Sequence, residues 1–65
     1  IMQVVKKYKF GCDDIKCFVI TEFFIQDGED LTPYKSPEYQ EIFEDTDISI
    51  YPDFIQSQIN TFKNK

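Results

Sequence analysis

The pattern of apolar and polar positions predicts two strands at the start of the chain. From residue 2 to residue 10 most apolar side chains fall at even positions and lysine or glutamine at most odd positions, which is the alternation of a half-buried strand. Residues 11–16 hold the glycine and paired aspartates of a hairpin connection. Residues 17–25 are apolar on both faces, with Glu22 as the charged residue in the middle. We therefore expect a central strand there.

The next part of the chain predicts a loop and a helix. Residues 26–35 contain an Asp-Gly turn and a proline, so we expect a loop. Ser36 and Pro37 have the residue types of a helix N-cap and first helical position, and the helix is predicted to run to about Asp45. At 100° per residue its acidic side chains share one arc and its apolar side chains share the other. The helix should therefore lie on the sheet with its acids outward.

The last part of the chain predicts a third strand and a second helix. Residues 46–51 alternate as a strand does. Asp53 and Gln56 resemble a capping box. Ile55, Ile59 and Phe62 then recur at helical spacing, so a second helix should close the chain.

These elements predict an α+β fold, a small three-stranded sheet in the order ββαβα with two short helices packed on one face. A right-handed crossover through the first helix would set strand three parallel to strand two and leave strand two central. The predicted core joins the helices to the strand face of Val19, Phe23 and Ile25. The helical residues of that core are Tyr39, Ile42, Phe43, Ile55, Ile59 and Phe62.

The opposite face of strand two is the first candidate interaction surface. Phe18, Ile20 and Phe24 lie on it, and two short helices cannot cover both faces of the sheet. Two alternatives stay open: the face meets a partner, such as a second copy, or the helices and the 26–35 loop wrap round and bury it. An exposed apolar patch of a few hundred Å² would mark an interaction surface.

Length and composition indicate one small folded domain, residues 1–65. A domain of this size buries only about 60% of its unfolded surface, so a dimer or partner would add stability. With 42% hydrophobic residues the chain is too apolar for a disordered segment. Ile1 before Met2 indicates a processing or cloning remnant. No apolar run has the roughly 18 residues of a membrane span, so we expect a soluble, cytoplasmic protein without a membrane partner.

The residue types exclude most familiar active sites. The chain has no histidine and no arginine, so it lacks both a ready acid or base near pH 7 and a bidentate phosphate ligand. Glu22 is the one candidate general base, and its alternative is a cross-strand partner of Lys7 or Lys9. We predict no enzyme and no cofactor.

Neither cysteines nor acids form a recognisable metal site. Cys12 and Cys17 lack the spacing of redox or zinc motifs, so free, partly buried thiols are expected. A disulfide is the alternative if the hairpin sets the two residues opposite each other. The acids of residues 27–30 and 45–47 have hard-cation ligand types, but the spacing differs from an EF-hand loop. We expect solvated turns and no metal.

The sorting of charge leads to the functional hypothesis. Residues 22–53 hold ten acids against Lys35 alone, a net −9, while the whole chain carries −5. Direct nucleic-acid binding is excluded by this sign. An acidic face of this density instead predicts an inhibitor, of the kind found in phages and mobile elements, that mimics nucleic-acid charge on a basic, nucleic-acid-binding protein. The predicted partner-binding residues are Glu38, Glu41, Glu44, Asp45 and Asp47. The alternatives are acidity that serves only solubility, and a small assembly protein that dimerises through the face of Phe18, Ile20 and Phe24.

Overall fold

A computed structural model describes residues 2–64 as a three-stranded antiparallel sheet followed by one helix. The elements are β1 (Met2–Cys12), β2 (Cys17–Asp27), β3 (Asp30–Ile42) and α1 (Asp53–Lys63). The sheet order β1-β2-β3 confirms that the second strand is central. The ββαβα order is wrong, because the chain is βββα and its strands are all antiparallel. The predicted remnant Ile1 lies outside the described residues.

The first hairpin follows the sequence prediction closely. β1 and β2 pair in an unbroken antiparallel register that sets Cys12 opposite Cys17. In the connecting turn, the Asp13 carboxylate accepts hydrogen bonds from the backbone N–H groups of Ile15 (2.8 Å) and Lys16 (2.7 Å). Such an Asx turn satisfies backbone donors that the ladder cannot reach. The aspartate therefore closes this end of the sheet.

The second hairpin replaces the predicted 26–35 loop. Asp27 pairs with Asp30, so only two residues connect β2 to β3. Gly28, the first of them, has φ of 64°, which a glycine adopts at no steric cost. Glycine at this position suits a type II′ hairpin turn, whose twist matches that of the strands. The Asp-Gly turn was predicted correctly, but it connects β2 to a third strand of the sheet and not to a loop.

β3 occupies the stretch that was predicted to be a helix. The helix prediction for 36–45 is wrong because β2 has a second edge whose backbone groups need partners, and this segment supplies them. Ser36 and Pro37 lie in a break of register, between the pairs Thr21–Glu38 and Phe23–Lys35. A proline is tolerated in an edge strand at such a bulge because no ladder hydrogen bond is lost there.

The segment between β3 and α1 consists of turns, so the third strand predicted at 46–51 is wrong. The Thr46 hydroxyl accepts a hydrogen bond from the Phe43 backbone N–H at 2.7 Å. The Asp47 carboxylate accepts bonds from both the backbone N–H and the hydroxyl of Ser49. These local bonds compete with strand pairing. Ile48 and Ile50 were predicted to point inward together, but Ile48 packs against the core and Ile50 is exposed.

Helix α1 confirms the second predicted helix but not its capping box. Its N-cap is Pro52, which makes no side-chain capping bond. Gln56 donates its side-chain amide to the Tyr51 carbonyl oxygen at 2.7 Å instead. Within residues 2–64, no helix has the length and apolar character needed to cross a membrane.

The core lies where α1 and the 43–52 turns cover one end of the sheet. Its fully buried side chains are Val19, Ile55 and Ile59, with Tyr51 only 6% exposed. The partly buried side chains packed against it are Tyr8, Phe10, Ile42 and Ile48. Tyr39 and Phe43, predicted in the core, are 52% and 56% exposed because their segment is not a helix on the sheet.

Phe23 is also buried, but it does not belong to this core cluster. The ammonium groups of Lys6 and Lys35 lie 5.8 Å and 4.6 Å from its ring centroid, and Tyr34 packs against it edge to face at 6.3 Å. The long stems of lysine side chains can cover apolar surface while their charged ends stay in water. Phe23 is thus covered by neighbours within the sheet.

Candidate functional site: the open face of the sheet

Within residues 2–64, helix α1 and the turns before it pack on one face of the sheet, and the other face has no helix on it. Side chains alternate along a strand, and residues directly opposite in an antiparallel pair point to the same side. The register therefore places Phe18 on the side away from Val19, and α1 and the turns lie on the side of Val19. We call this surface the open face. It comprises Val5, Lys7, Lys9, Phe18, Ile20, Glu22, Phe24, Leu31, Pro33, Tyr39 and Glu41.

The structure brings together the three apolar residues singled out in β2. Phe18, Ile20 and Phe24 are each half-buried by their cross-strand neighbours alone. The Phe18 ring stacks on Tyr39, with ring centroids 4.9 Å apart and an interplanar angle of 25°. The Lys7 ammonium lies 5.3 Å from the Phe24 ring centroid. The central strand thus presents apolar and aromatic side chains on both sides of Glu22, which lies between Ile20 and Phe24.

Three of the charged side chains on the open face, Lys9, Glu22 and Glu41, form ion pairs. Glu22 lies 3.7 Å from the Lys9 ammonium, and Glu41 lies 3.7 Å from that of Lys16. Glu22 also faces Lys7 directly across the pair. This is the cross-strand lysine arrangement expected as the alternative to catalysis, and the side chain of Glu22 is 31% exposed.

The two edges of the sheet carry features that oppose strand addition. Pro33 and Pro37 lack backbone N–H donors, and both lie in the edge strand β3 near the break in register. β1 carries three closely spaced lysines. Edge prolines, bulges and lysines are the means by which natural sheets avoid edge-to-edge pairing. The two edges are therefore poorly suited to strand addition.

The acidic residues predicted to bind a partner do not share one surface. Glu38 lies on the side of the helix and pairs with Lys35 at 3.0 Å, while Glu41 lies on the open face. Glu44 and Asp45 are exposed in the turn that follows β3. Asp47 is held by Ser49 in the next turn. The single acidic helix arc does not exist, because its helix is a strand whose residues alternate between two faces.

Two aspartates have perturbed ionisation through local hydrogen bonds. The pKa of Asp47 is lowered chiefly by the Ser49 hydroxyl, which donates to the carboxylate at 2.6 Å, and then by the Ser49 backbone N–H. The pKa of Asp13 is lowered first by the backbone N–H of Ile15 and then by that of Lys16. Donors directed at a carboxylate favour its charged form. Both acids therefore stabilise turns.

The cysteines form a disulfide, so the prediction of free thiols is wrong. The Cα atoms of Cys12 and Cys17 are 4.0 Å apart. The backbone N–H of Asp13 donates to the Lys16 carbonyl oxygen, which makes the cysteines the adjacent, non-hydrogen-bonded pair. The Cα atoms of such pairs approach more closely than those of hydrogen-bonded pairs. Disulfide formation depends on the cross-strand register, and the spacing of the two cysteines in the sequence does not give that register.

The residues of β3 on the open face were missed from the sequence. Leu31, Pro33 and Tyr39 were assigned to a loop and a helix, and they extend the apolar surface of β2 by one strand. The signal that could have found them is the Asp-Gly dipeptide read as a two-residue hairpin loop.

Among residues 2–64 no group of three or more potential metal-ligating side chains occurs. No family model, curated protein or solved structure matches this chain.

Proposed function

We propose that this chain is a non-enzymatic protein-binding module whose binding surface is the open face of its sheet. The observation that carries the proposal is the arrangement of seven apolar side chains across all three strands with no described element over them. Monomeric proteins rarely leave a large contiguous apolar patch exposed, and such patches mark interaction sites. Burial of this surface by a partner would remove apolar area from water, which favours association.

The chemistry of the open face suits a specific contact. Its aromatic pair, Phe18 and Tyr39, provides large and rigid contact area of the kind enriched at interface centres. Lys9 and Glu41 lie on its two outer strands and provide charge of both signs. Complementary charge at a rim selects orientation and accelerates encounter more than it raises affinity. Apolar burial would thus supply affinity and the charges specificity.

The acidic-mimic hypothesis receives less support from the geometry. A decoy for a basic, nucleic-acid-binding protein needs its carboxylates on one continuous surface. Here Glu38 and Glu41 lie on opposite sides of the sheet and each is paired with a lysine. The hypothesis stays a prediction, and the salt dependence of binding separates it from the proposal, since exposed charges are screened over about 8–10 Å at physiological ionic strength.

Site-specific photocrosslinking tests the proposal. The variant Tyr39→benzoylphenylalanine places a photoreactive ketone on the open face, and Phe54→benzoylphenylalanine places it on the outer side of α1. The two positions are matched in exposure, 52% and 58%. Each variant is irradiated at low and at high salt in an extract of the cells that express the protein, and adducts are resolved by mass.

The expected result is a discrete protein adduct from position 39 that persists at high salt and is absent from position 54. Adding Phe24→Lys to the position-39 variant should abolish the adduct, since it places a charge among the apolar side chains of the open face. If positions 39 and 54 give the same adducts, or if high salt removes them while Phe24→Lys does not, the open face is not the binding surface.

A further inference from the structure

We infer that the partner on the open face is a second copy of this chain. The two copies stack face to face, and the basic strand β1 of each copy lies over the acidic strand β3 of the other. This inference rests on the proposed function, since it names the occupant of the same surface. The result is a six-stranded sandwich with a helix on each outer side. Aligned sandwiches of this kind pack their sheets about 10 Å apart with strands about 30° from parallel.

The edges of the sheet favour stacking over sheet extension. Pairing β1 with its own copy would bring lysines against lysines along one edge. Pairing through β3 would meet the prolines and the break in register. A face-to-face contact avoids both and covers the apolar side chains of the open face. It also satisfies the symmetry of a two-fold dimer, in which one patch meets an identical patch.

The charges of the open face select the direction of the two-fold axis. An axis across the strands near their middle would set β1 over β1 and bring the lysines of the two copies close together. An axis along the central strand sets β1 over β3, so that Lys9 approaches Glu41 of the other copy. In the register these two positions differ by one two-residue step, about 7 Å, which long side chains span. Within its own chain Lys9 lies 3.7 Å from Glu22 and Glu41 lies 3.7 Å from Lys16, so the contact between copies would add to these pairs. Glu22 lies near this axis, between Lys9 and its register partner Lys7.

The area of the open face is sufficient for a weak specific dimer. Over the eleven-residue length of β2, the three strands make a surface about 36 Å long and about 14 Å wide, or about 500 Å² per copy. Two copies would bury about 1,000 Å², the lower limit of a specific interface. We expect a dissociation constant in the micromolar range. A domain of this size buries only about 60% of its unfolded surface by itself, so the apolar area buried in a dimer would add to its stability.

A charge-swap experiment tests the arrangement. Sedimentation equilibrium of the disulfide-bonded protein at about 100 µM should show a dimer. Lys9→Glu alone sets glutamate against glutamate, and Glu41→Lys alone sets lysine against lysine, so each should weaken self-association at least tenfold. An equimolar mixture of the two should recover a heterodimer, since both interface pairs are then of opposite sign.

Lys6→Glu and Glu38→Lys are the matched control. These positions lie on the same two strands but on the helix side, and their substitutions change the net charge equally. Each control variant by itself, and the equimolar mixture of the two, should have the same dissociation constant as the parent dimer. All four variants should fold, because exposed ion pairs contribute little to stability. Circular dichroism checks this.

Three results would overturn the inference. These are a monomeric parent protein at this concentration, a swap mixture that stays as weak as its components, and control variants that behave like the swap variants. A monomeric parent with a position-39 adduct to a different protein would overturn the inference and leave the proposed function standing. Loss of the position-39 adduct altogether would remove both.

Discussion

The phenyl ring of Phe18 lies over Gly11, its direct partner on the neighbouring strand. A Cβ atom added at Gly11 would lie 3.3 Å from Cζ and 3.4 Å from Cε2 of that ring. A glycine weakens a strand because it has no side chain to pack, and an aromatic ring across the pair restores that packing. The same ring stacks on Tyr39 on its other side. Gly11 thus allows the aromatic pair of the open face to lie flat.

Gly11→Val should therefore destabilise the protein through Phe18. The added methyl groups displace the ring, and overpacking of this kind costs about 1–3 kcal/mol. In a domain of this size each 1 kcal/mol lowers the melting temperature by about 4–8 °C. In a Phe18→Ala background the same substitution should cost much less, because the ring is gone. Equal costs in both backgrounds, measured by thermal melts, would show that the contact does not constrain residue 11.

Phe23 and Phe43 should differ in their effect on stability. Phe23 is 7% exposed and enclosed by its sheet neighbours, so Phe23→Ala should cost about 3–5 kcal/mol, enough to unfold so small a domain. Phe43 is 56% exposed, and Phe43→Ala should cost about 1 kcal/mol or less. Urea unfolding of both variants checks this. A larger effect at position 43 than at position 23 would contradict the exposed position of Phe43.

Reduction of the disulfide should lower stability modestly. The bond joins residues only five apart, and a loop of this length is worth about 2 kcal/mol in chain entropy. The oxidised protein should resist alkylation unless it is first reduced. Thermal melts with and without reductant measure the difference, and the Cys12→Ser, Cys17→Ser double variant should melt like the reduced protein and ignore the reductant. Alkylation of the untreated protein would contradict the pairing.

Acid should remove the stabilising contribution of Asp47. Its pKa is lowered below the usual 3.8, so the contribution is present above that pH and is lost as the pH falls through the lowered value. Asp47→Asn should therefore destabilise the protein at pH 7, and this destabilisation should become smaller at an acidic pH below 3.8. Asp45→Asn changes the net charge equally and accepts neither Ser49 bond. Urea unfolding at both pH values separates the two variants, and identical behaviour would exclude the turn bonds as the cause.

Local pattern determined β1, β2 and α1, because each contains its own signal. The alternation of residues 2–10 and the spacing of Ile55 and Ile59 require no knowledge of the rest of the chain. The same is true of the turn at Gly28, whose φ of 64° needs a glycine. From the two apolar faces of β2 the sequence also determined that β2 is central.

Only the tertiary structure decided the state of residues 30–42 and the fate of the cysteines. Ser36 and Pro37 satisfy the local rules of a helix start, but β2 offers an unpaired edge whose hydrogen bonds only a strand could complete. That choice divided the acids between two faces and exposed Tyr39 on one of them. The disulfide depended likewise on register, a relation between strands that neither strand contains by itself.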